Sequence, residues 1–469
     1  MLAGVKELKS FNGGIHPPFD GKSLSKNKEI TQAPLPEVAY LYMSQHIGVP
    51  AKPVVAKGDV VKKGQKIGEA PALVSAHIHA TVAGKVTDIT FKPHPVTGAR
   101  TQVVVIQREG DDEWAPGLDE PQDVEAMSPD DIRNLIREAG TVGLGGAAFP
   151  THVKLSPPKD KKVDAVILNG AECEPYLTCD YRLLMEKTKE VIEGLKIIMK
   201  CLGCKNAYVG IEANKPDAYD KVRSAVGEDP HIKVELLEVK YPQGAEHQLI
   251  KAILGREFKP TQLPIEAGAV VHNVSTTYAI YEAVKYKRPL IQRVVSITGD
   301  GVENPNNLLV RIGTPIEPLL KAARLKEDAN KVIYGGPLMG IAQPSIADAV
   351  TVKGTGGLLV MRNAGEWQSR ACIRCGKCVD ACPYGLNPSL LSILCESEHF
   401  QQAMEFNLME CKECGCCTYV CTSRRPIVHL IKTAKYELAR QKARAQEAQK
   451  AKEAQKAQAA PAVTATAPK

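Results

Sequence analysis

The sequence predicts a multidomain protein of α/β and α+β type with a cysteine-rich end. Three observations carry that prediction. Short β-rich segments punctuated by glycine precede residue 115. From Ser128 onward, strand-like and helix-like segments alternate. Ten of the fourteen cysteines then fall from Cys372 to Cys421. A length of 469 residues accommodates several domains, and 44% hydrophobic with 24% charged residues is ordinary for a soluble chain.

In the first segment, "PVVAKGDVVKKGQKIGEAPALVSAHIHATVAGKVTDI" alternates Val, Ile and Thr with polar residues between Gly58, Gly64, Gly68 and Gly84. The arrangement resembles a lipoyl/biotinyl-type barrel-sandwich domain, assigned to residues 1–115. Such carriers present a lysine at a hairpin tip. The corresponding stretch here is Ser75-Ala76-His77-Ile78-His79, so no attached cofactor is expected. His77 and His79 read as surface or packing residues, with metal binding as the alternative.

A linker, "WAPGLDEPQ", leads to a punctuated helix. Ser128 is its N-cap, Pro129 its first position, and Asp130 and Asp131 lie in the first turn. Ile132, Leu135, Ile136 and Ala139 form the apolar face, and Gly140 ends it. Strands such as "VDAVILN" and "NAYVGIE" then alternate with helices such as "YRLLMEKTKEVIEGLKIIMKCL". That alternation marks an α/β domain over 125–290. "RVVSITGD" and "KVIYGGPLMG" mark a smaller α+β domain over 291–362.

Two loops in the α/β domain carry candidate chemistry. "GTVGLGGAAFPTHVKL" spans Gly140 to Leu155. Gly143, Gly145 and Gly146 allow close backbone approach and exposed N–H groups, as phosphate binding requires. Lys154 could pair with a ligand charge, and Phe149 could stack on a ring system. The spacing is not G-x-G-x-x-G, and by itself the loop reads equally as a structural turn. Further on, the strand in "VDAVILNGAECEP" ends at Asn169, followed by Glu172 and Glu174. Carboxylates beyond a strand end could accept hydrogen bonds from ribose hydroxyls or a nicotinamide amide. Solvated loop glutamates are the alternative.

The cysteine runs are more specific. Cys372, Cys375, Cys378 and Cys382 repeat the C-x2-C-x2-C-x3-C spacing of Cys411, Cys414, Cys417 and Cys421. This is the bacterial two-cluster ferredoxin pattern, in which the fourth cysteine ligates the other cluster. One [4Fe–4S] cluster is therefore assigned to Cys372, Cys375, Cys378 and Cys421, and a second to Cys411, Cys414, Cys417 and Cys382. Gly376 and Gly415 let the backbone come close, and the fourth cysteine is expected to open a helix pointing away. A zinc ribbon would use paired C-x2-C knuckles, and a disulfide framework fits neither the size nor the compartment. Thr422 stands where the pattern has proline. Cys416 reads as a spare small residue, Cys395 as part of a linking helix, and Cys201 and Cys204 as structural. The cluster domain is assigned to 366–430.

The tail, 431–469, is basic. From Lys432 to Lys469 nine Lys/Arg and three Glu give +6 of the total +7, so the body is near neutral. A basic groove for nucleic acid is not indicated. "ELARQKARAQEAQKAKEAQKAQ" is helix-forming, and "AAPAVTATAPK" is expected to be disordered. No apolar run reaches about 18 residues, so no membrane-spanning helix is expected. "MLAGVK" lacks a signal peptide's apolar core, which points to the cytoplasm.

The glycine loop, the acidic strand end and the cysteine runs occur in that order. Together they resemble the NADH-oxidising flavoprotein subunit of respiratory complex I, as does the later "VVHNVSTTYAI". A closer resemblance covers nearly the whole chain: the RnfC family, from the Rnf ion-translocating ferredoxin:NAD oxidoreductases. It rests on "GGIHPP" (Gly13 to Pro18), on "SQHIG", and on two cysteine runs ending "SRRP". The resemblance implies a Rossmann-like FMN/NADH domain, a β-grasp domain over 291–362 and a two-cluster ferredoxin-like helical domain. It implies non-covalent FMN held by Gly143, Gly145, Gly146, Lys154, Asn169, Asn273 and Thr276. Phe149, Glu172 and Glu174 would meet NAD(H). Ala171 departs from the complex I pattern, which has Asp there.

The implied function is electron transfer between NAD(H), FMN and two [4Fe–4S] clusters, in a complex that couples ferredoxin/NAD chemistry to ion translocation. The implied partners are membrane-embedded Rnf subunits and a ferredoxin-reacting iron–sulfur subunit, with this chain peripheral on the cytoplasmic face. The rival readings are a flavin/iron–sulfur cobalamin reductase, a flavin-free electron-carrier subunit and a zinc-stabilised structural adaptor.

Overall fold

The computed structural model describes residues 8–362, 364–365 and 368–459. The stretch expected to be disordered falls, from residue 460 on, outside them. The chain divides into two compact units, residues 1–366 and 367–469.

The first unit opens with eight strands: β1 (Ile30–Gln32), β2 (Val38–Tyr42), β3 (Lys52–Pro53), β4 (Val60–Val61), β5 (Lys66–Glu69), β6 (Ile78–His79), β7 (Gly84–Pro93) and β8 (Arg100–Arg108). Two sheets, ordered β2–β8–β7–β4 and β3–β5–β6, form the barrel sandwich. Leu41, Ile67, Ile78, Val86, Val104 and Ile106 fill its core. That core is not closed on itself. Val142 and Leu144 of the glycine loop, with Ala279 and Leu290, complete it. The domain therefore buries its apolar face partly against the next one.

The histidine stretch at the hairpin tip is buried as well. His77 is 2% exposed and His79 5%, and the ammonium of Lys353 donates to the carbonyls of His77 (2.8 Å) and Gly140 (2.7 Å).

The α/β region follows: α1 (Pro129–Glu138), α2 (Thr151–Lys154), β9 (Ala165–Gly170), α3 (Cys179–Glu186), α4 (Thr188–Leu202), β10 (Ala207–Glu212), α5 (Pro216–Val226), β11 (Ile232–Leu237), α6 (Glu246–Leu254), β12 (Ala269–Asn273) and α7 (Val274–Tyr286). α1 starts where the sequence places it, in a capping box. The Ser128 hydroxyl accepts from the Asp131 N–H, and the Asp131 carboxylate accepts from the Ser128 N–H. Gly140, at φ +62°, turns the chain away from its end. The four strands are parallel, in the order β11–β10–β9–β12.

A third sheet is mixed. It contains β13 (Gln292–Thr298), β14 (Asn306–Arg311), β15 (Ala329–Tyr334), β16 (Ile341–Ala342) and β17 (Gly357–Arg362), with α8 (Ile316–Ala322) packed on it. Its order is β1–β14–β13–β17–β15–β16. Strand β1, expected within the N-terminal domain, pairs here in parallel with β14. The segment before it also leaves the barrel: Lys9 bridges to Leu237 and Ile15 to Tyr241.

The second unit holds α9 (Lys377–Asp380), α10 (Pro388–Glu396), α11 (Phe400–Glu405), α12 (Cys416–Tyr419) and the long α13 (Ile427–Ala459). Leu391 and Leu394 of α10 pack with Ile427, Ile431 and Ala434 of α13. The one-turn helices α9 and α12 are each headed by a glycine in the left-handed region, Gly376 at φ +80° and Gly415 at φ +89°. The expectation that the fourth cysteine opens a helix is corrected. Cys382 and Cys421 instead close these single turns, donating N–H to Val379 and Thr418. The next helices begin only at Pro388 and Ile427. For α10 the reason is local, because the Asn387 side chain caps it.

Candidate functional site

The parallel sheet changes direction beside β9. From β9 the chain builds outward to β10 and β11, then returns to add β12 on the other side. Ligands of open α/β sheets bind outside the carboxyl ends of strands at such a switch point. Two side chains stand there. Asn169 lies at the end of β9, Asn273 ends β12, and they are register partners. The Asn169 amide donates to the carbonyl of Gly244 (2.8 Å) and its oxygen accepts from the N–H of Ala171. Asn273 caps α7, accepting from the Thr276 N–H, and donates to the Asp180 carboxylate at 2.6 Å.

The glycine loop closes over the same end. Val142 bridges to Pro150, and the Gly143 N–H donates to the Phe149 carbonyl. Leu144 N–H donates to the Thr276 hydroxyl at 2.8 Å, joining the loop to the head of α7. A methyl group on Gly145 would lie 2.6 Å from the Asn273 side chain, so only glycine fits there. Gly146 faces open space. Gly145, Gly146 and Ala147 are exposed, and among the described residues their N–H groups meet no acceptor. Three successive free N–H groups in an exposed turn make an anion-binding concavity. This fits a phosphate. Phe149 is half-buried at the loop's end, and Lys154 pairs with Glu246 at the head of α6, 2.5 Å away.

The acidic loop is organised differently from the sequence expectation. The Glu172 carboxylate accepts from the N–H groups of Asp180 (2.7 Å) and Tyr181 (3.2 Å), capping α3. One carboxylate oxygen of Glu174 accepts from Leu338 and Met339 N–H groups. Both acids are thus engaged with the chain's own backbone. Burial pushes Glu172 up to about 7, with Lys22 pulling it down and Asp180 adding to the rise.

Two buried lysines hold the loop. The Lys22 ammonium, 5% exposed, donates to the carbonyls of Glu172 (2.7 Å), Glu174 (2.9 Å) and Leu177 (2.7 Å). Lys215, 2% exposed, donates to the carbonyl of Ala171 at 2.6 Å and pairs with Glu212. The loop needs such anchoring because Glu172 (φ +44°) and Tyr176 (φ +70°) sit in a region that costs non-glycine residues about 1–3 kcal/mol each.

Sequence reasoning missed Lys22, Asp180, Lys215 and Glu246. No local pattern marks them. Lys22 lies 150 residues from Glu172 in sequence, and buried lysines are recognisable only by what surrounds them.

In the second unit the cysteines surround two cavities. One is lined by Cys372, Cys375, Cys378 and Cys421. The other is lined by Cys382, Cys411, Cys414 and Cys417, with Cys416 beside them. Each cavity thus takes three thiols from one run and the fourth from the other. All fourteen cysteines are free thiols. Burial pushes Cys411 up to about 11 and Cys417 further up, and a metal centre would take such ligands as thiolates. Two sets of four convergent sulfurs fit two iron–sulfur clusters.

Residues 9–111 match the RnfC barrel sandwich hybrid domain, 136–282 the Nuo51 FMN-binding domain, and 366–387 a 4Fe-4S binding domain. The chain is 47% identical to the C subunit of the proton-translocating ferredoxin:NAD(+) oxidoreductase complex of Clostridium ljungdahlii, over 92% of this chain and 94% of that one. It is 41% identical to the Na(+)-translocating counterpart of Acetobacterium woodii, over 92% and 98%. It is 38% identical to the C subunit of the ion-translocating oxidoreductase complex of Rhodobacter capsulatus, over 94% and 86%. Among solved structures it is similar to an NAD+-reducing [NiFe]-hydrogenase at 19% identity and a TM-score of 0.48, over 64% and 61%.

Proposed function

The chain belongs to the RnfC family of ion-translocating ferredoxin:NAD(+) oxidoreductase complexes, and from that premise we infer that it is the peripheral, NAD(H)-reacting electron-transfer subunit of such a complex. It is an oxidoreductase subunit with an FMN-binding domain and a [4Fe–4S]-binding motif. When bound, FMN would exchange one hydride, an electron pair with its proton, with NAD(H), and each cluster would carry one electron at a time.

The chain's own residues supply position and electrostatics. The free N–H groups of Gly145, Gly146 and Ala147 would hold the FMN phosphate, with Thr276 fixing Leu144 behind them. Gly143 opens the turn. Lys154, balanced by Glu246, sets the local charge. Asn169 and Asn273 border the crevice for the rest of the cofactor. Phe149 offers a ring face to NAD(H). Glu172 and Glu174 complete the NAD(H) side, with lone pairs left after their backbone bonds. No general base is required of the protein.

Cys372, Cys375, Cys378 and Cys421 would hold one cluster, and Cys411, Cys414, Cys417 and Cys382 the other. The observation that carries this reading is the exchange of the fourth thiol between the two cavities. We read residues 125–290 as Rossmann-like, 291–362 as a β-grasp and 366–430 as two-cluster ferredoxin-like.

Among the described residues no helix is long and apolar enough to cross a membrane. We place the chain on the cytoplasmic face, against membrane-embedded subunits and a ferredoxin-reacting iron–sulfur subunit.

Anaerobic purification followed by an absorption spectrum, before and after NADH, tests the reading. A broad band near ~400 nm together with flavin peaks, both bleaching with NADH, is the expected result. Brown colour without flavin or bleaching would favour the flavin-free carrier.

A further inference from the structure

The two thiol sets differ in access. Of the eight thiols, only Cys375 belongs to an exposed residue; the others are half-buried or buried. Ile373, beside it, is 68% exposed. Arg370, Arg374, Lys377 and Arg424 are exposed around the same cavity mouth. Two contacts bring these segments together: Arg370 N–H donates to the Ser423 carbonyl at 2.9 Å, and the Cys375 sulfur meets the Thr422 hydroxyl at 3.6 Å. Arg425 also lines this cavity, but it is buried and paired with Glu396. Against these four cations stands the exposed Asp380.

The segment between the two cysteine runs has the opposite sign. Between Leu386 and Glu410 the chain carries Glu396, Glu398, Glu405 and Glu410 and no Lys or Arg. The segment between the two cysteine runs is thus acidic, and the segments framing the more open thiol set are basic.

We propose that the edge at Cys375, ringed by Arg370, Arg374, Lys377 and Arg424, is the electron port of the cluster domain and docks an acidic iron–sulfur protein. The exchange is one electron from one protein's cluster to the other's, with no bond made or broken. Electron transfer demands close approach, and the exposed edge offers it. Ile373 supplies an apolar contact at the centre, and the surrounding cations steer an acidic partner. The proposal rests on the two-cluster reading of the cysteines.

The test uses the full chain with its clusters, mixed with an acidic two-cluster ferredoxin that has been stoichiometrically reduced, with no free reductant. Bleaching of the oxidised chain is followed by stopped flow. At low ionic strength the Arg374→Glu/Lys377→Glu variant should react about ten-fold or more slowly than wild type. The gap should collapse near ~1 M salt, where the Debye length is about 3 Å. Glu405→Lys/Glu410→Lys should not slow the reaction.

A rate in Arg374→Glu/Lys377→Glu equal to wild type would overturn the proposal. So would a salt-insensitive gap, which would mean that the cations only tune the cluster potential, or a larger loss in the Glu405/Glu410 pair. Iron content and spectrum of each variant report separately on the cluster reading. If charge reversal displaces iron, Arg374→Gln/Lys377→Gln carries the same test with a smaller effect of the same sign.

Discussion

The side-chain amide of Asn273 donates to the carboxylate of Asp180 across 2.6 Å, and that bond ties the two candidate loops together. Asp180 lies in the first turn of α3, whose N–H groups are capped by Glu172 of the acidic loop. Asn273 heads α7, where Thr276 holds Leu144 of the glycine loop. A disturbance on one side of the crevice therefore reaches the other. Asn273→Ala removes both the cap and the tie. It should cost about 1 kcal/mol from the cap alone and lower flavin content in the purified protein. Asn273→Asp keeps the cap but sets like charges together, so it should lose more flavin than Asn273→Ala. Absorbance per protein and thermal melting check both.

Gly145 and Gly146 should answer differently to the same methyl group. Gly145→Ala collides with Asn273 and should destabilise the fold as well as expel flavin. Gly146→Ala meets nothing within 4 Å and should fold normally. Any flavin loss in Gly146→Ala then reports a ligand at that turn, and full retention would move the phosphate elsewhere.

Lys22→Met leaves three carbonyls of a strained loop without their donor. A loss of about 3 kcal/mol in urea unfolding is expected. In variant protein that still holds flavin, KM for NADH should rise more than kcat falls, because the loop carrying Glu172 and Glu174 loosens. Equal KM values would remove the loop from the NAD(H) site.

Cys416 and Cys417 are neighbours with different expected fates. Cys417→Ser removes a proposed ligand and should halve the iron content. Cys416→Ser should keep both clusters, since Cys416 is an extra thiol against the same cavity. Iron and sulfide analysis with EPR of the reduced protein separates them; loss of iron in Cys416→Ser would exchange the two assignments.

Lys353 introduces a pH dependence. Burial pushes its ammonium down to about 7, against the ordinary lysine range in the unfolded chain. Between those values the unfolded chain binds a proton that the folded chain does not, so stability rises with pH across the window. The cost of burying the charge is absent above about 10.5 and complete below about 7. Lys353→Met lacks that slope. The advantage of wild type over the variant should therefore be larger at pH 10 than at pH 7, by thermal melting at both. A difference independent of pH would contradict the assignment.

The cysteine spacing assigns each run's fourth thiol to the other run's set, and the structure lines each cavity with that same mixed set. The α1 boundary was equally legible: Ser128, Pro129, Asp131 and Gly140 each act within a turn of the helix end they mark. Strong local periodicity gave the alternating strands and helices.

What the tertiary structure decided is everything that depends on distant partners. Glu172 and Glu174 read as acids facing a ligand, yet they first satisfy the N–H groups of Asp180, Tyr181, Leu338 and Met339. Strand β1 reads as part of the barrel, yet an unpaired sheet edge at β14 takes it. Lys22 carries no signal of its own; it matters because folding removes it from water and sets it among three backbone carbonyls. Local sequence sets caps, turns and ligand spacing, since those act over a few residues. Burial and backbone satisfaction are properties of the whole packed chain, and only the fold assigns them.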